Sequence, residues 1–291
     1  MTPIRRLALA LLLLLPPPDA TAESCGAADH PCLVSLGAYH ALLPEPRGER
    51  PAPVVVHLHG AGSSGAEVIA NRDLVTPLLA RGYVVLAPTG LVRPGRTGGS
   101  WSFGSFRQPL RNEAAFLHEV LDDAERRFAV DRRRVLLSGF SVGGSMVWYL
   151  ACTAPGDFTA FAPVAGGFWR PFPDSCAAPV RLLHTHGWRD QTVPLEGRPL
   201  RPGVEQGDIF EGLQLWRRRN GCTGLKADLF PDDPVFLRRA WTACSPGTAL
   251  ELALHQGGHE VPPEWPRLAL DWFESLPTMP TGEVGTRHAE E

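Results

Sequence analysis

The segment Gly139-Phe140-Ser141-Val142-Gly143 constrains this 291-residue chain more than any other, because it follows the apolar run Val135-Leu136-Leu137 and precedes a helix-compatible stretch over residues 144–150. A serine in so tight a strand-to-helix turn needs small residues two positions to either side, since a Cβ there would strike the neighbouring strand or helix. The turn lifts the serine Oγ clear of the sheet and aims the N–H groups that follow at the place where an oxyanion would form. In a chain with 30 glycines, the strand before and the helix after make the match specific.

A serine hydroxyl is a weak nucleophile unless a base takes its proton, so the turn predicts a histidine and a carboxylate further along in the order Ser, Asp or Glu, His. The run Val180-Arg181-Leu182-Leu183-His184 reads as a buried strand, which leaves Asp190 in the loop at its carboxyl end. Leu250 to His255 alternates as a strand and breaks at Gln256-Gly257-Gly258, leaving His259 in a glycine-flanked loop before a terminal helix. His259 is the expected base, and Asp190 the group that orients it and stabilises the imidazolium. Among the competitors, His184 reads as a buried strand histidine, and His186 and His255 lack the glycine-bracketed loop. Asp122 and Asp123 fall inside a predicted helix, and Asp131, Asp157 and Asp174 at turns or strand approaches, where solvated or capping carboxylates are ordinary. The strand Val54 to Leu58 ends in His59-Gly60-Ala61-Gly62, so the oxyanion donors are expected to be the backbone N–H groups of Val142 and Ala61.

Strands and helices alternate along the rest of the chain. An edge strand is expected near Ala38 to Leu43, strands at Val54 to Leu58 and Tyr83 to Ala87, and a helix over Ala66 to Ala80. Phe116, Leu117, Val120, Leu121, Ala124 and Phe128 repeat at helical spacing. Further helices are expected around Ile209 to Trp216 and Leu268 to Leu276. The pattern gives an α/β fold with a mostly parallel central sheet and helices on both faces. Glycine- and proline-rich loops at Leu91 to Gly104 and Pro194 to Gly207 are long enough to wall a cleft. Aromatic residues in or near loops, Trp101, Trp169 and Trp188 foremost, with Phe103, Phe106 and Phe168, are candidates to line it.

Arg5-Arg6, the apolar Leu7 to Leu15 and Ala20-Thr21-Ala22 have the form of a secretory signal peptide, 1–22, with cleavage expected after Ala22. The apolar stretch is too short to span a bilayer, and no membrane anchor is expected. A catalytic domain is then expected over 23–277 and a polar tail over 278–291. The 6 cysteines fit the oxidising compartment that export implies. No Cys-x-x-Cys or zincin pattern occurs, so no metal and no cofactor are expected. A net charge of −3, with Lys226 the one lysine among 28 basic residues, offers no basic field for nucleic acid or an anionic membrane. The oligomeric state is left open.

From about Val54 to Leu276 the chain resembles the α/β-hydrolase superfamily, and within it the secreted polyhydroxybutyrate depolymerase-like and feruloyl esterase-like serine esterases. The resemblance is carried by Leu58-His59-Gly60, by Phe128-Ala129-Val130-Asp131 with Arg134-Val135, by Phe161-Ala162-Pro163-Val164-Ala165-Gly166, and by Val193-Pro194 beyond Asp190. It departs at His259-Glu260-Val261-Pro262-Pro263, where such proteins often carry His-x-Trp-Pro-Gly. The resemblance suggests disulfides Cys152–Cys176 and Cys222–Cys244, leaving Cys25 with Cys32. It implies an exported serine ester hydrolase working through an acyl-enzyme on hydroxyalkanoate, feruloyl or acetyl esters. Acyl transfer by the same groups and a non-catalytic binding module on the same fold are the alternatives.

Overall fold

Runs of consecutive apolar residues, which in a half-exposed strand would alternate with polar ones, form the middle of the sheet. A computed structural model describes residues 25–46, 48, 50–104 and 109–277. The expected leader 1–22, the expected tail 278–291 and Phe106 lie outside the described residues. Six strands run parallel in the order β4 (Val84–Pro88), β3 (Ala52–Leu58), β5 (Val130–Phe140), β6 (Ala160–Val164), β8 (Arg181–Gly187) and β12 (Ala249–His255). Burial on both faces is the usual condition of parallel strands and explains their unbroken apolar sequences.

Antiparallel strands complete both ends: β2 (Gly37–Leu42) pairs with β4 and with β1 (Cys32–Val34), and β11 (Leu237–Trp241) pairs with β12. Side chains of one strand alternate between two cores. Val54, Val56 and Leu58 of β3 face helices α3 (Glu113–Phe128), α4 (Val142–Thr153) and α5 (Ile209–Arg219). Val55 faces α1 (Gly65–Ala70), α2 (Arg72–Ala80) and α6 (Trp265–Ser275). The expected α/β layering, with helices on both faces of a mostly parallel sheet, is the observed one. Three disulfides, Cys25–Cys32, Cys152–Cys176 and Cys222–Cys244, pair as the resemblance suggested.

The structure corrects three local readings. The helix expected over Ala66 to Ala80 is two helices, broken at Asn71, whose extended backbone and side-chain oxygen, accepting from the Leu74 N–H, cap α2. The edge strand expected near Ala38 is the second strand in, because the short β1 folds back on it across Val34 and Gly37. Pro194 to Gly207 is not an open loop: it contains β9 (Arg198–Arg201) and β10 (Val204–Gln206), which form a separate three-stranded sheet with β7 (Trp169–Arg170).

Helix α4 is seated against bare backbone. A Cβ on Gly143 would lie 2.2 Å from the Leu58 carbonyl oxygen and 2.6 Å from that of His59, whereas a Cβ on Gly156 would meet nothing within 4 Å. Gly143→Ala is therefore expected to cost about 1–3 kcal/mol or more and to lower Tm by roughly 5–10 °C. Gly156→Ala should stay within about 0.5 kcal/mol of wild type. Thermal melts of the two variants side by side check the contrast.

Candidate active site

Ser141 is the residue between β5 and α4, and its backbone sits at φ 58°, ψ −121°. A non-glycine residue at positive φ persists only where its surroundings over-determine it. Here they do. The Ser141 N–H donates to the Val164 carbonyl of β6 at 3.0 Å, and the Ser141 carbonyl accepts the Ser145 N–H at 2.9 Å, which starts the helix. A Cβ on Gly166 would stand 2.3 Å from the Ser141 carbonyl oxygen, and one on Gly139 would stand 2.7 Å from the Gly143 backbone. The small residues demanded by the sequence thus have identified neighbours.

Two loops leave the carboxyl ends of β8 and β12 side by side. The Trp188 N–H donates to the His255 carbonyl at 2.7 Å and the Arg189 N–H to that of Gly257 at 3.0 Å. Gly187 lets them touch, because a Cβ there would fall 2.0 Å from the Gly258 carbonyl oxygen. This backbone stitching brings Asp190 of the first loop to His259 of the second: His259 Nδ1 and Asp190 Oδ2 are 2.8 Å apart, and His259 Nε2 lies 2.9 Å from Ser141 Oγ. The ring of His259 rests against that of Phe140, with centroids 4.7 Å apart.

The Asp190 side chain is fully buried. Burial pushes its carboxyl up, but hydrogen bonds from His186, His259 and the Val193 N–H outweigh that push and hold it well below the usual carboxylate range. The Thr192 and Val193 N–H groups reach Oδ1 at 2.9 and 2.8 Å, which leaves Oδ2 for the imidazoles. An ionised carboxylate only accepts, so Nδ1 of His259 carries the proton and Nε2 accepts from the Ser141 hydroxyl. That is the tautomer a general base at Ser141 needs.

A second hydrogen-bonded line reaches Asp190 from the core. The Trp148 indole N–H can only donate, so His184 Nδ1 accepts it at 3.2 Å, and the His184 Nε2–H donates to His186 Nδ1 at 2.9 Å. The His186 Nε2–H then faces the Val193 carbonyl at 2.7 Å and Asp190 Oδ2 at 3.4 Å. Burial, and His186 beside it, push the His184 ring well below the ordinary histidine range, so it stays neutral. From the sequence alone neither histidine is a candidate for the site. Their spacing of two on one strand, which puts both on the same face, was the available signal.

Of the expected oxyanion donors, Val142 is the first residue of α4, whose N–H has no partner within the helix. Ala61 lies in the turn held by the Ser63 N–H on the Gly60 carbonyl. Both line a cleft of about 510 Å³. His59 ties this turn to the next loop: its Nδ1–H donates to the Gly60 carbonyl at 2.7 Å, its Nε2 accepts the Gly90 N–H, and its carbonyl accepts the Trp101 indole N–H at 2.8 Å. Trp101 and Trp169 stand in the cleft wall beside Phe103. Trp188 is not among the residues that line this cleft, and it is 62% exposed. Phe168 is likewise withdrawn, packed in the core with Trp148 and Trp216. The Pro194 to Gly207 segment is also absent from this cleft's lining.

Because the Asp190 carboxyl titrates lower folded than the about 3.9 of an unfolded aspartate, its contribution to stability is present above about pH 4 and lost as the pH falls further. Asp190→Asn should therefore melt below wild type at neutral pH, and the gap should close as the pH drops beneath 4. A gap independent of pH in paired melts would show that the charge is not what the network stabilises.

A family model described as phospholipase/carboxylesterase matches residues 44–200, more than half of the chain. A probable feruloyl esterase C of Aspergillus clavatus is 26% identical over 265 residues, covering 88% of this chain and 89% of that protein. Feruloyl esterase B of Piromyces equi is 24% identical over 226 residues, covering 73% of this chain, and the chain spans 40% of that longer protein. Among solved structures, the acetyl xylan esterase from Aspergillus awamori superposes with a TM-score of 0.61 at 16% identity, covering 81% of this chain and 93% of that one, a likeness of fold. The chain belongs to the phospholipase/carboxylesterase family of α/β-hydrolases.

Proposed function

We propose that this protein is an exported serine carboxylesterase in which Ser141 is the nucleophile, His259 the general base and acid, and Asp190 the carboxylate that orients His259. The observation that carries the reading is the unbroken line from Asp190 Oδ2 through both ring nitrogens of His259 to Ser141 Oγ, with contacts of 2.8 and 2.9 Å. Family membership supports ester hydrolysis as the reaction class.

In this reading His259 Nε2 takes the Ser141 proton as Oγ attacks the ester carbonyl. The carbonyl oxygen becomes an oxyanion and is met by the N–H groups of Val142 and Ala61, donors fixed in place before the charge forms. The intermediate collapses by breaking the bond to the alcohol oxygen, which leaves with the proton held on His259. Water then attacks the acyl-enzyme, gives its proton to His259, and the acid departs as Ser141 Oγ recovers that proton. Asp190 stays ionised throughout and balances the imidazolium.

For the acyl group, the names of the relatives and the aromatic walls support feruloyl or acetyl esters. Trp101, Phe103 and Trp169 offer flat apolar surface to an aromatic acid. Export is supported by the three disulfides, which persist in oxidising compartments.

Ser141→Ala is expected to reduce hydrolysis of p-nitrophenyl acetate, methyl ferulate and acetylated xylan by about 10³-fold or more, with little change in Tm. Activity retained in the purified variant would remove Ser141 from the reaction. On expression with its leader in a bacterium that exports proteins, the mature chain should begin at Glu23, read by intact mass. An uncleaved Met1 terminus would overturn the export reading.

A further inference from the structure

The two oxygens of Asp190 are held by different means. Oδ1 accepts from the Thr192 and Val193 N–H groups at 2.9 and 2.8 Å, and the Asp190 N–H donates to the Gly187 carbonyl at 3.1 Å. Those backbone bonds fix the turn and one carboxylate oxygen. Oδ2, which reaches His259 Nδ1 at 2.8 Å, faces a second imidazole, that of His186, at 3.4 Å.

His186 grips the same turn from the core side. Its Nε2–H donates to the Val193 carbonyl at 2.7 Å, and the Val193 N–H is one of the two donors to Asp190 Oδ1. One imidazole therefore holds the far end of the Asp190–Val193 turn by a short bond and meets the carboxylate at its near end. The side chains of His186 and Asp190 are both fully buried, so water does not compete for these contacts. A carbonyl and an ionised carboxylate can only accept, which puts the proton on His186 Nε2. His184 Nε2–H, donating to His186 Nδ1 at 2.9 Å, demands the same tautomer from the other side. The opposite tautomer would set a lone pair against two acceptors, so the orientation of this ring is fixed twice over. A shift of Asp190 would pass directly to the ring of His259 and to its 2.9 Å contact with Ser141 Oγ, where proton transfer depends on alignment.

We propose that His186 is a positioning residue for ester hydrolysis, acting through Asp190 to keep the carboxylate in line with His259. The proposal rests on Ser141, His259 and Asp190 being the groups that carry out the reaction, and it adds the part of the core that keeps them aligned. His186 is fully buried and touches no substrate, and both chemical steps pass through His259, so its loss should act on kcat and leave KM unchanged.

Three substitutions at this one position, assayed on p-nitrophenyl acetate, make the test. His186→Gln keeps an amide N–H within reach of the place of Nε2, His186→Asn ends one methylene short of it, and His186→Leu has no donor. The Gln variant should keep kcat within about threefold of wild type, while the Asn and Leu variants should lose about tenfold or more, with KM within about twofold throughout. The proton NMR signal of His259 Nδ1–H should be kept in the Gln variant and displaced in the other two. Thr185→Val, equally buried on the same strand but facing the other side of the sheet, should keep the wild-type kcat and signal. Equal kcat in the Gln and Asn variants, or a loss that falls on KM, would overturn the proposal and leave the hydrolase reading standing. Failure of the wild type to turn over the ester, or wild-type turnover by Ser141→Ala, would remove the hydrolase reading and this proposal with it.

Discussion

The close approach of α4 to the ends of β3 and β6 is the contact on which the rest of the site depends. Ser141 at φ 58° costs of the order of 1–3 kcal/mol. That cost is outweighed by the buried face of α4, where Met146, Val147, Trp148 and Leu150 each remove apolar surface from water, at about 1.5–3 kcal/mol for a side chain of this size. The helix can take this seat only because Gly143 and Gly144 present no Cβ to the carbonyls of Leu58, His59 and Val164. Packing therefore drives the strain, and the strain is what turns the Ser141 hydroxyl toward His259 and sets Val142 in the cleft wall.

The chemistry then collects where a parallel sheet places it, at the carboxyl ends of its strands. β3 ends in the turn bearing Ala61, β5 in Ser141, β8 in the loop bearing Asp190, and β12 in the loop bearing His259. None of these loops stands alone. The β8 and β12 loops share backbone hydrogen bonds, and the Ala61 turn is bonded to the loop that carries Gly99. Asp190 is further tied to the core by His186, His184 and Trp148, a line whose direction is set at its far end by a group that can only donate. A charge buried this deeply is tolerable because its partners are in place around it, not because the surroundings are polar.

The meeting of Ser141, Asp190 and His259 was legible in the sequence because each position follows from a short-range rule: small residues around a strained turn, and a polar residue just past a buried strand. The layer architecture was legible for the same reason, since Val54 to Leu58 and Val135 to Leu137 leave little choice of element. What escaped depends on distant pairing. The strands at Trp169, Arg198 and Val204 are two to four residues long, with Pro199 inside one of them, and their sheet forms only where the hairpin of β9 and β10 meets the distant β7. The break at Asn71 is a capping choice that overrides an otherwise helical pattern. Trp188 reads as a candidate to line the cleft because it is an aromatic residue in a loop near the elbow, but position in a loop does not set which way a side chain turns.

The most direct measurement of the account is a crystal structure of the protein after reaction with an alkyl fluorophosphonate. The account predicts phosphorus bonded to Ser141 Oγ, Ser141 still at positive φ, and the phosphoryl oxygen about 2.7–3.1 Å from the N–H groups of both Val142 and Ala61. Attachment to another residue, or a phosphoryl oxygen turned to solvent away from both N–H groups, would contradict it.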